Sequence, residues 1–274
     1  MPSLQLDFSP VQETLLLTLY ARAQDSRAPA PILGDTLAAA IADRIAQDTG
    51  YDFGRLKVRP SLVASTALRA KKLDDVVRQF TTTHPEAVVV DLGCGLDTRM
   101  ARCTPPAGVD WYDVDLPQVT ELRQQYLPGR SHLVATDITA ESWSEVLPDD
   151  RPTMIVAEGV LPFLPGDSFQ AMIRQLTTRL RAGELALNGY TRFAAWAMRY
   201  DASIKALGID AAQGFDDPRE PERWNAGLTL ISERLLTRAP EVAAFPQPVR
   251  ALTRLVAHST AMSRQGARIL HYRF

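Results

Sequence analysis

Four short segments of this chain carry side chains able to hold a nucleoside-bearing ligand, and each follows an apolar run. The first is Gly93-Cys94-Gly95-Leu96-Asp97-Thr98-Arg99. Two glycines there permit a sharp turn and let a ligand approach bare backbone. A dinucleotide fingerprint would place a third glycine where Thr98 stands, so the pyrophosphate-binding version is incomplete. The second segment, Tyr112-Asp113-Val114-Asp115-Leu116-Pro117, puts carboxylates roughly 20 residues beyond the glycine loop, the usual spacing for a ribose partner. A carboxylate accepts both hydrogen bonds of a diol, although either aspartate could instead cap the helix that follows. The third, Thr136-Asp137-Ile138, offers an acceptor for an adenine amino group or a plain solvated turn. The fourth, Ala157-Glu158-Gly159-Val160-Leu161-Pro162-Phe163-Leu164, leaves Glu158 near a sheet centre, where an unpaired carboxylate is costly.

The elements that must position these segments can be read from periodicity. Strands are expected at Ala87–Leu92, Val109–Val114, Leu133–Ala135, Thr153–Ala157 and Glu184–Asn188. The first is a near-continuous valine run, as for a central parallel strand covered on both faces. Helices alternate with them. The clearest follows Asp167, with Phe169, Met172, Ile173, Leu176 and Leu180 as its buried stripe, Asp167 and Gln170 as a capping box, and Gly183 as its stop. This alternation predicts an α/β doubly wound sheet, in which ligands bind outside the carboxyl ends of the strands. Before the sheet the pattern is helical: Val11, Leu15 and Leu19 share a face, Thr36 to Ala46 forms a second helix, and Ser65 to Phe80 a third. After it, Thr191 to Ala206 reads as a helix and Gly214 to Asn225 as a loop. Leu228 to Glu233 reads as a strand, Val249 to Met262 as a helix, and Arg268 to Phe274 as a last strand. The expectation is one domain over 1–274: a helical cap at 1–84, a sheet core at 85–190, and lid helices with final strands at 191–274.

Composition narrows the classes. Of 274 residues 46% are hydrophobic and 23% charged, the balance of a globular protein. The formal charge of −2 lacks the basic excess of a general nucleic-acid binder. Cys94 and Cys103 give neither a disulfide framework nor metal-ligand spacing, so no metal is expected and a reducing cytoplasm is. The chain opens Met-Pro-Ser-Leu-Gln without a basic leader, and no apolar run approaches the ~20 residues of a membrane span. A cytoplasmic protein without nucleic-acid or membrane partners is expected.

The sequence resembles the leucine carboxyl methyltransferase superfamily, in its branch of tetracenomycin-type polyketide O-methyltransferases. The resemblance rests on Thr14-Leu15-Leu16 with Ala21-Arg22-Ala23, Tyr51-Asp52-Phe53 and Leu68-Arg69-Ala70-Lys71-Lys72-Leu73-Asp74, then on Asp91 to Arg99, Asp113 to Pro117 and Glu158 to Leu164. It implies a class I, Rossmann-like sheet and S-adenosyl-L-methionine as cofactor. It also implies that Gly93 faces the methionine part, Asp115 the ribose, Asp137 and Ile138 the adenine, and Glu158 the methionine end, with Gly95 among the cofactor-binding residues. Arg69 matches the arginine that grips the cofactor carboxylate. Its place at i−4 from Leu73 turns it toward the buried face of its helix, where a bidentate carboxylate is the best partner and an internal ion pair the alternative. Lys71-Lys72 departs from relatives with a second arginine there.

The implied reaction is methyl transfer to a small-molecule acceptor. A carboxylate, with a pKa near ~4, is already ionised, whereas a phenol near ~10 would gain from a base. None of His84, His132, His258 and His271 stands at a predicted ligand edge, which favours a carboxyl or acidic hydroxyl. Tyr190 or Arg192 could orient such an acceptor, and Trp196 or Trp224 could stack on a flat one. Competing readings are a nicotinamide oxidoreductase, which the missing third glycine opposes, and a cofactor-binding protein of this fold with a non-methylating, pericyclase-like or regulatory role. A base-methylating enzyme would carry an Asp/Asn-Pro-Pro-Tyr segment where Glu158-Gly159-Val160 stands.

Overall fold

The computed structural model describes residues 10–164, 166–200 and 213–274, with side chains from residue 14 onward. Seven strands form one sheet: β1 (Val88–Leu92), β2 (Asp110–Asp115), β3 (His132–Ala135), β4 (Thr153–Ala157), β5 (Gly183–Gly189), β6 (Thr229–Leu235) and β7 (Arg268–Arg273). Their order is β3-β2-β1-β4-β5-β7-β6; the first five pair in parallel and β7 runs antiparallel between β5 and β6. The order reverses between β1 and β4, where a doubly wound sheet opens its ligand crevice.

Alternation along each strand feeds two separate cores. Val88, Val90 and Leu92 of β1, with Ile155 and Ala157 of β4, face the core on one side, together with Phe169, Met172 and Leu176 of α6 (Ser168–Arg179). Val89, Met154 and Val156 face the other, against the apolar stripe of α3 (Pro60–Thr83), whose Leu73, Val76, Val77 and Phe80 recur at helical spacing. Asp91 has the parity of that second face. Burying apolar area on both sides, at about 25 cal/mol per Å², is what makes the valine run of β1 read as continuous.

The N-terminal helices α1 (Pro10–Ser26) and α2 (Thr36–Thr49) form a third cluster, in which Leu15, Leu16, Ile41 and Ile45 close over Leu96 of the glycine loop. Asp35 caps α2 by accepting from the Ala38 amide at 3.0 Å. Short α4 (Arg99–Cys103) follows the glycine loop, and α5 (Pro117–Tyr126) follows β2.

Several expectations change. Asp167 stands at the start of α6, but no side-chain cap bond forms there, so the capping box is not made. Nor does Gly183 stop that helix, which ends at Arg179; it opens β5 instead. A Cβ on Gly183 would lie 1.9 Å from the Thr153 carbonyl oxygen, so close approach of β4 demands glycine there. The expected helix Val249 to Met262 is two: α8 (Gln247–Ala257) and α9 (Thr260–Arg264), with Ser259 capping the second through the Met262 amide. Helix α7 (Arg192–Met198) starts where expected. The Val11 side chain and residues 201–206 of the expected Thr191–Ala206 helix lie outside the described residues.

Candidate active site

The carboxyl ends of the parallel strands open into one cavity of about 620 Å³. Its wall includes Arg69 of α3, Gly93 and Gly95 of the loop after β1, and Asp115 at the end of β2; Asp137, Ile138 and Glu158 follow β3 and β4. All seven residues that the sequence put forward for the cofactor therefore share one wall. Thr14, Leu15, Thr18 and Arg22 of α1 close it from the cap side. Gly93 has φ +61°, and a Cβ there would come within 2.7 Å of Val160 Cγ2. Glycine is thus required to turn the chain and keep this part of the cradle open.

Asp113 and Asp115 of β2 divide their tasks. Asp113 is fully buried; it accepts from Arg123 Nε and Nη2 at 2.9 and 2.7 Å and from Trp111 Nε1 at 3.0 Å. Arg123 in turn donates to the carbonyls of Gly95 and Asp97, which fixes the glycine loop from behind. Asp115 lines the cavity. It accepts from the Gly95 amide at 2.7 Å and the Leu116 amide at 2.8 Å, which tie it to the loop and leave lone pairs on both oxygens. Burial pushes its carboxyl up, against the downward pull of those two amides. Neither aspartate supplies a side-chain cap to α5.

Glu158, which an open sheet centre would make costly, is paired on each oxygen. Oε1 accepts from Arg69 Nε at 2.7 Å, and Oε2 accepts from Arg99 Nη2. Arg69 also donates Nη1 to the Tyr190 hydroxyl at 3.1 Å, while its Nη2 has no partner among the described residues. The internal-ion-pair alternative for Arg69 is thus realised, with Glu158 as partner, and one guanidinium nitrogen remains over. Burial disfavours the charge on Arg69, but Tyr190 and Glu158 outweigh it and hold the guanidinium protonated.

Behind Glu158 lies a charge cluster that sequence reasoning missed. Arg99, 1% exposed, bonds Asp74 at 3.1 Å, Asp91 at 2.8 Å and Asp97 at 2.9 Å as well as Glu158. Arg102 bonds Asp74, Asp97 and Asp35, and Asp35 pairs with Arg22 of α1. Through Asp35 the cluster joins the helical cap to the glycine loop, and Arg22 adds a bond to the Leu96 carbonyl at 3.0 Å. Burial pushes the Asp91 carboxyl up to about 7, whereas Asp97, despite its burial, is held well below its usual range by Arg102 and Arg99. The available signal was Asp91 itself: a lone carboxylate ending a buried valine strand requires a cation, and Arg99 stands eight residues on. Lys71 and Lys72 turn away, to the Ile32 carbonyl and to Glu241.

The sequence profile of the leucine carboxyl methyltransferases matches residues 16–177. The chain is 34% identical over 266 residues to the tetracenomycin polyketide synthesis O-methyltransferase TcmP of Streptomyces glaucescens, covering 96% of this chain and 97% of that one. The chain belongs to the leucine carboxyl methyltransferase family. It is an S-adenosyl-L-methionine-dependent methyltransferase. A second relative, the S-adenosyl-L-methionine-dependent methyltransferase dpfgK of Gibberella zeae, is 33% identical over 239 residues, 79% of each chain. Among solved structures, a DUF574 family protein of Streptomyces avermitilis superposes with a TM-score of 0.54 at 16% identity, over 93% of this chain and 96% of that one, a likeness of fold.

In this methyltransferase the residues put forward for the acceptor scatter. Tyr190, leaving β5, lines the cavity. Arg192 does not; it is exposed and paired with Asp216 and Glu220 at 3.2 and 2.9 Å. Trp196 lies on α7 between Phe193 and Tyr200, with ring centroids at 5.7 and 5.0 Å, and all three rings are largely exposed. From the same helix Met198 reaches the cavity wall. Trp224 is a core residue, edge-on to Phe169 and Phe215, and does not reach the cavity. None of the four histidines lines the cavity; His271, for example, is engaged by Glu184 at 2.7 Å.

Proposed function

We propose that the methyltransferase methylates an oxygen of a carboxyl or acidic hydroxyl group on a small molecule of polyketide-like or similar secondary-metabolite type. The observation that carries this reading is the make-up of the cavity wall. Seven groups suited to the cofactor lie together, Tyr190 stands beside them backed by Arg69, and no histidine is at hand to take a proton. An acceptor that is already ionised near neutral pH needs alignment and a donor for its oxygen rather than a base. The relative named for tetracenomycin polyketide synthesis as an O-methyltransferase supports the same chemistry.

In this reading S-adenosylmethionine supplies a methyl group on a sulfonium, and the chain's residues do the rest. Asp115 holds the ribose hydroxyls through its remaining lone pairs, with Gly93 and Gly95 giving access to backbone. Asp137 and Ile138 flank the adenine; Glu158 lies at the methionine end, and Arg69 offers its uncommitted Nη2 to the amino-acid carboxylate. Because Arg69 can only donate, the Tyr190 oxygen accepts from it and keeps its own proton to orient the acceptor oxygen. Leu15 and Leu62 from the cap side, with Phe163 and Leu164 after β4, exclude water. The aromatic face of α7 is the approach for a flat acceptor. The chain works as one domain, with 1–84 as cap and 191–274 supplying α7 and the last strands.

Intact-mass screening of aromatic carboxylic acids and phenols with protein and S-adenosylmethionine tests this. The expected result is a gain of one CH2 on a carboxylic acid or acidic phenol, with a thermal midpoint raised by S-adenosylhomocysteine by mass action. Methylation confined to amines or thiols would overturn it, and no stabilisation by either cofactor form would overturn the cofactor assignments.

A further inference from the structure

Glu158 presents a single oxygen to Arg69, and Arg69 Nη2 has no partner among the described residues. A guanidinium beside a free carboxylate closes into a bidentate pair, Nε on one oxygen and Nη2 on the other, the preferred fork geometry. Here Nε is on Oε1, while Oε2 is drawn to Arg99 Nη2 and makes no bond to Arg69, so the fork stays open. Arg99 cannot drift away from that oxygen. It is 1% exposed, and its other nitrogens are fixed by Asp74 through Nε and by both oxygens of Asp91 through Nη1. We infer that Arg99 is a positioning residue for cofactor binding: by occupying one oxygen of Glu158 it keeps Arg69 Nη2 in reserve for the cofactor's carboxylate. The inference rests on the assignment of Arg69 given above and adds a role for a residue that need not touch the ligand.

The cluster also indicates which variant should fold. Among the described residues Asp74 and Asp97 are each bonded by Arg102 as well as by Arg99, and Glu158 keeps Arg69, whereas Asp91 has Arg99 as its guanidinium partner. Removing Arg99 and the charge of Asp91 together, as D91N/R99M, therefore leaves every remaining carboxylate of the cluster with a cation. It avoids the uncompensated buried charge that a single Arg99 truncation would leave.

The test is calorimetric titration of S-adenosylhomocysteine and of its decarboxylated analogue, which retains the ammonium, with a circular-dichroism melt of each variant. In the wild-type protein S-adenosylhomocysteine should bind at least about tenfold more tightly, the value of one charge-assisted contact. In D91N/R99M the ratio should fall close to one, because Glu158 closes on Arg69. In D91N/R99M/E158Q it should return, because glutamine is neutral and no longer draws the guanidinium into a two-oxygen fork, while D91N alone should keep it. A D91N/R99M protein that binds both ligands more weakly but keeps their ratio, or a triple variant that fails to restore it, overturns the role of Arg99. Should D91N/R99M not fold, E158Q decides: a ratio at or above wild type supports the reserve, and a lost ratio means that Arg69 needs Glu158 to present its fork, which overturns it. A wild-type ratio near one strikes instead at the assignment of Arg69 itself, so the two failures are distinguishable.

Discussion

Behind the glycine loop the charges are buried and interlocked, whereas beyond β5, outside the cavity, they stand in solvent. Arg99 and Asp91 are 1% and 2% exposed and share partners with Asp74, Asp97 and Glu158. Arg192, two residues beyond Tyr190, has a side chain 59% exposed, and the rings of Phe193 and Trp196 on α7 and of Tyr200 just after it lie open. The difference is physical. A buried charge demands a partner, and removing one partner costs about 3–5 kcal/mol, so the residues of such a cluster constrain one another. Exposed pairs contribute about 0–1 kcal/mol, so α7 and the residues facing it can change while the fold stands. In the proposed function the first region serves the cofactor, and the second is free to vary with the acceptor.

The largest effect is expected at Asp113. Asp113→Ala strands Arg123 and the Trp111 ring nitrogen in the interior, and should lower stability by about 3–5 kcal/mol in a denaturant melt. A loss below about 1 kcal/mol would show that the interlocked region tolerates change as the exposed region does. Asp115→Ala should separate binding from folding. It removes the carboxylate that faces the cavity and should weaken S-adenosylhomocysteine by about 1.5–3 kcal/mol in a calorimetric titration, with a smaller change in melting than Asp113→Ala. The reverse pattern would exchange the roles of the two aspartates. The smallest effect is expected on α7. Trp196→Ala should leave S-adenosylhomocysteine affinity unchanged and raise the KM of an aromatic acceptor by the ~0.5–1.5 kcal/mol of one ring contact. Weakened cofactor binding in that variant would mean that the two regions are coupled.

The same contrast decided what could be read in advance. The central strands β1 and β4 are legible because burial on both faces forces apolar runs such as Val88-Val89-Val90. Gly93, Asp115 and Glu158 were legible because each follows such a strand at the edge where ligands bind. The cluster around Arg99 was not. Its members come from α1, the cap of α2, α3, β1, the glycine loop, α4 and the turn after β4, and no periodicity along the chain records that Asp35 and Arg102, 67 positions apart, will meet at 3.1 Å. Trp224 and Trp196 were indistinguishable as isolated tryptophans. Packing puts one between Phe169 and Phe215 and leaves the other in solvent. The capping box at Asp167 and Gln170 failed for a local reason: the Asp167 backbone, at φ −93° and ψ 15°, is not in the extended conformation that aims a side chain at the first amides.

The account rests most heavily on Arg69, which links Glu158, Tyr190 and the cavity. Calorimetric titration of S-adenosylhomocysteine and its decarboxylated analogue into wild-type protein and Arg69→Met tests it most directly. The account predicts that the wild type favours the ligand with the carboxylate by at least about tenfold, and that Arg69→Met binds both with nearly equal, weaker affinity. An Arg69→Met protein that keeps the wild-type preference would contradict it, and would make Arg69 a purely internal partner of Glu158.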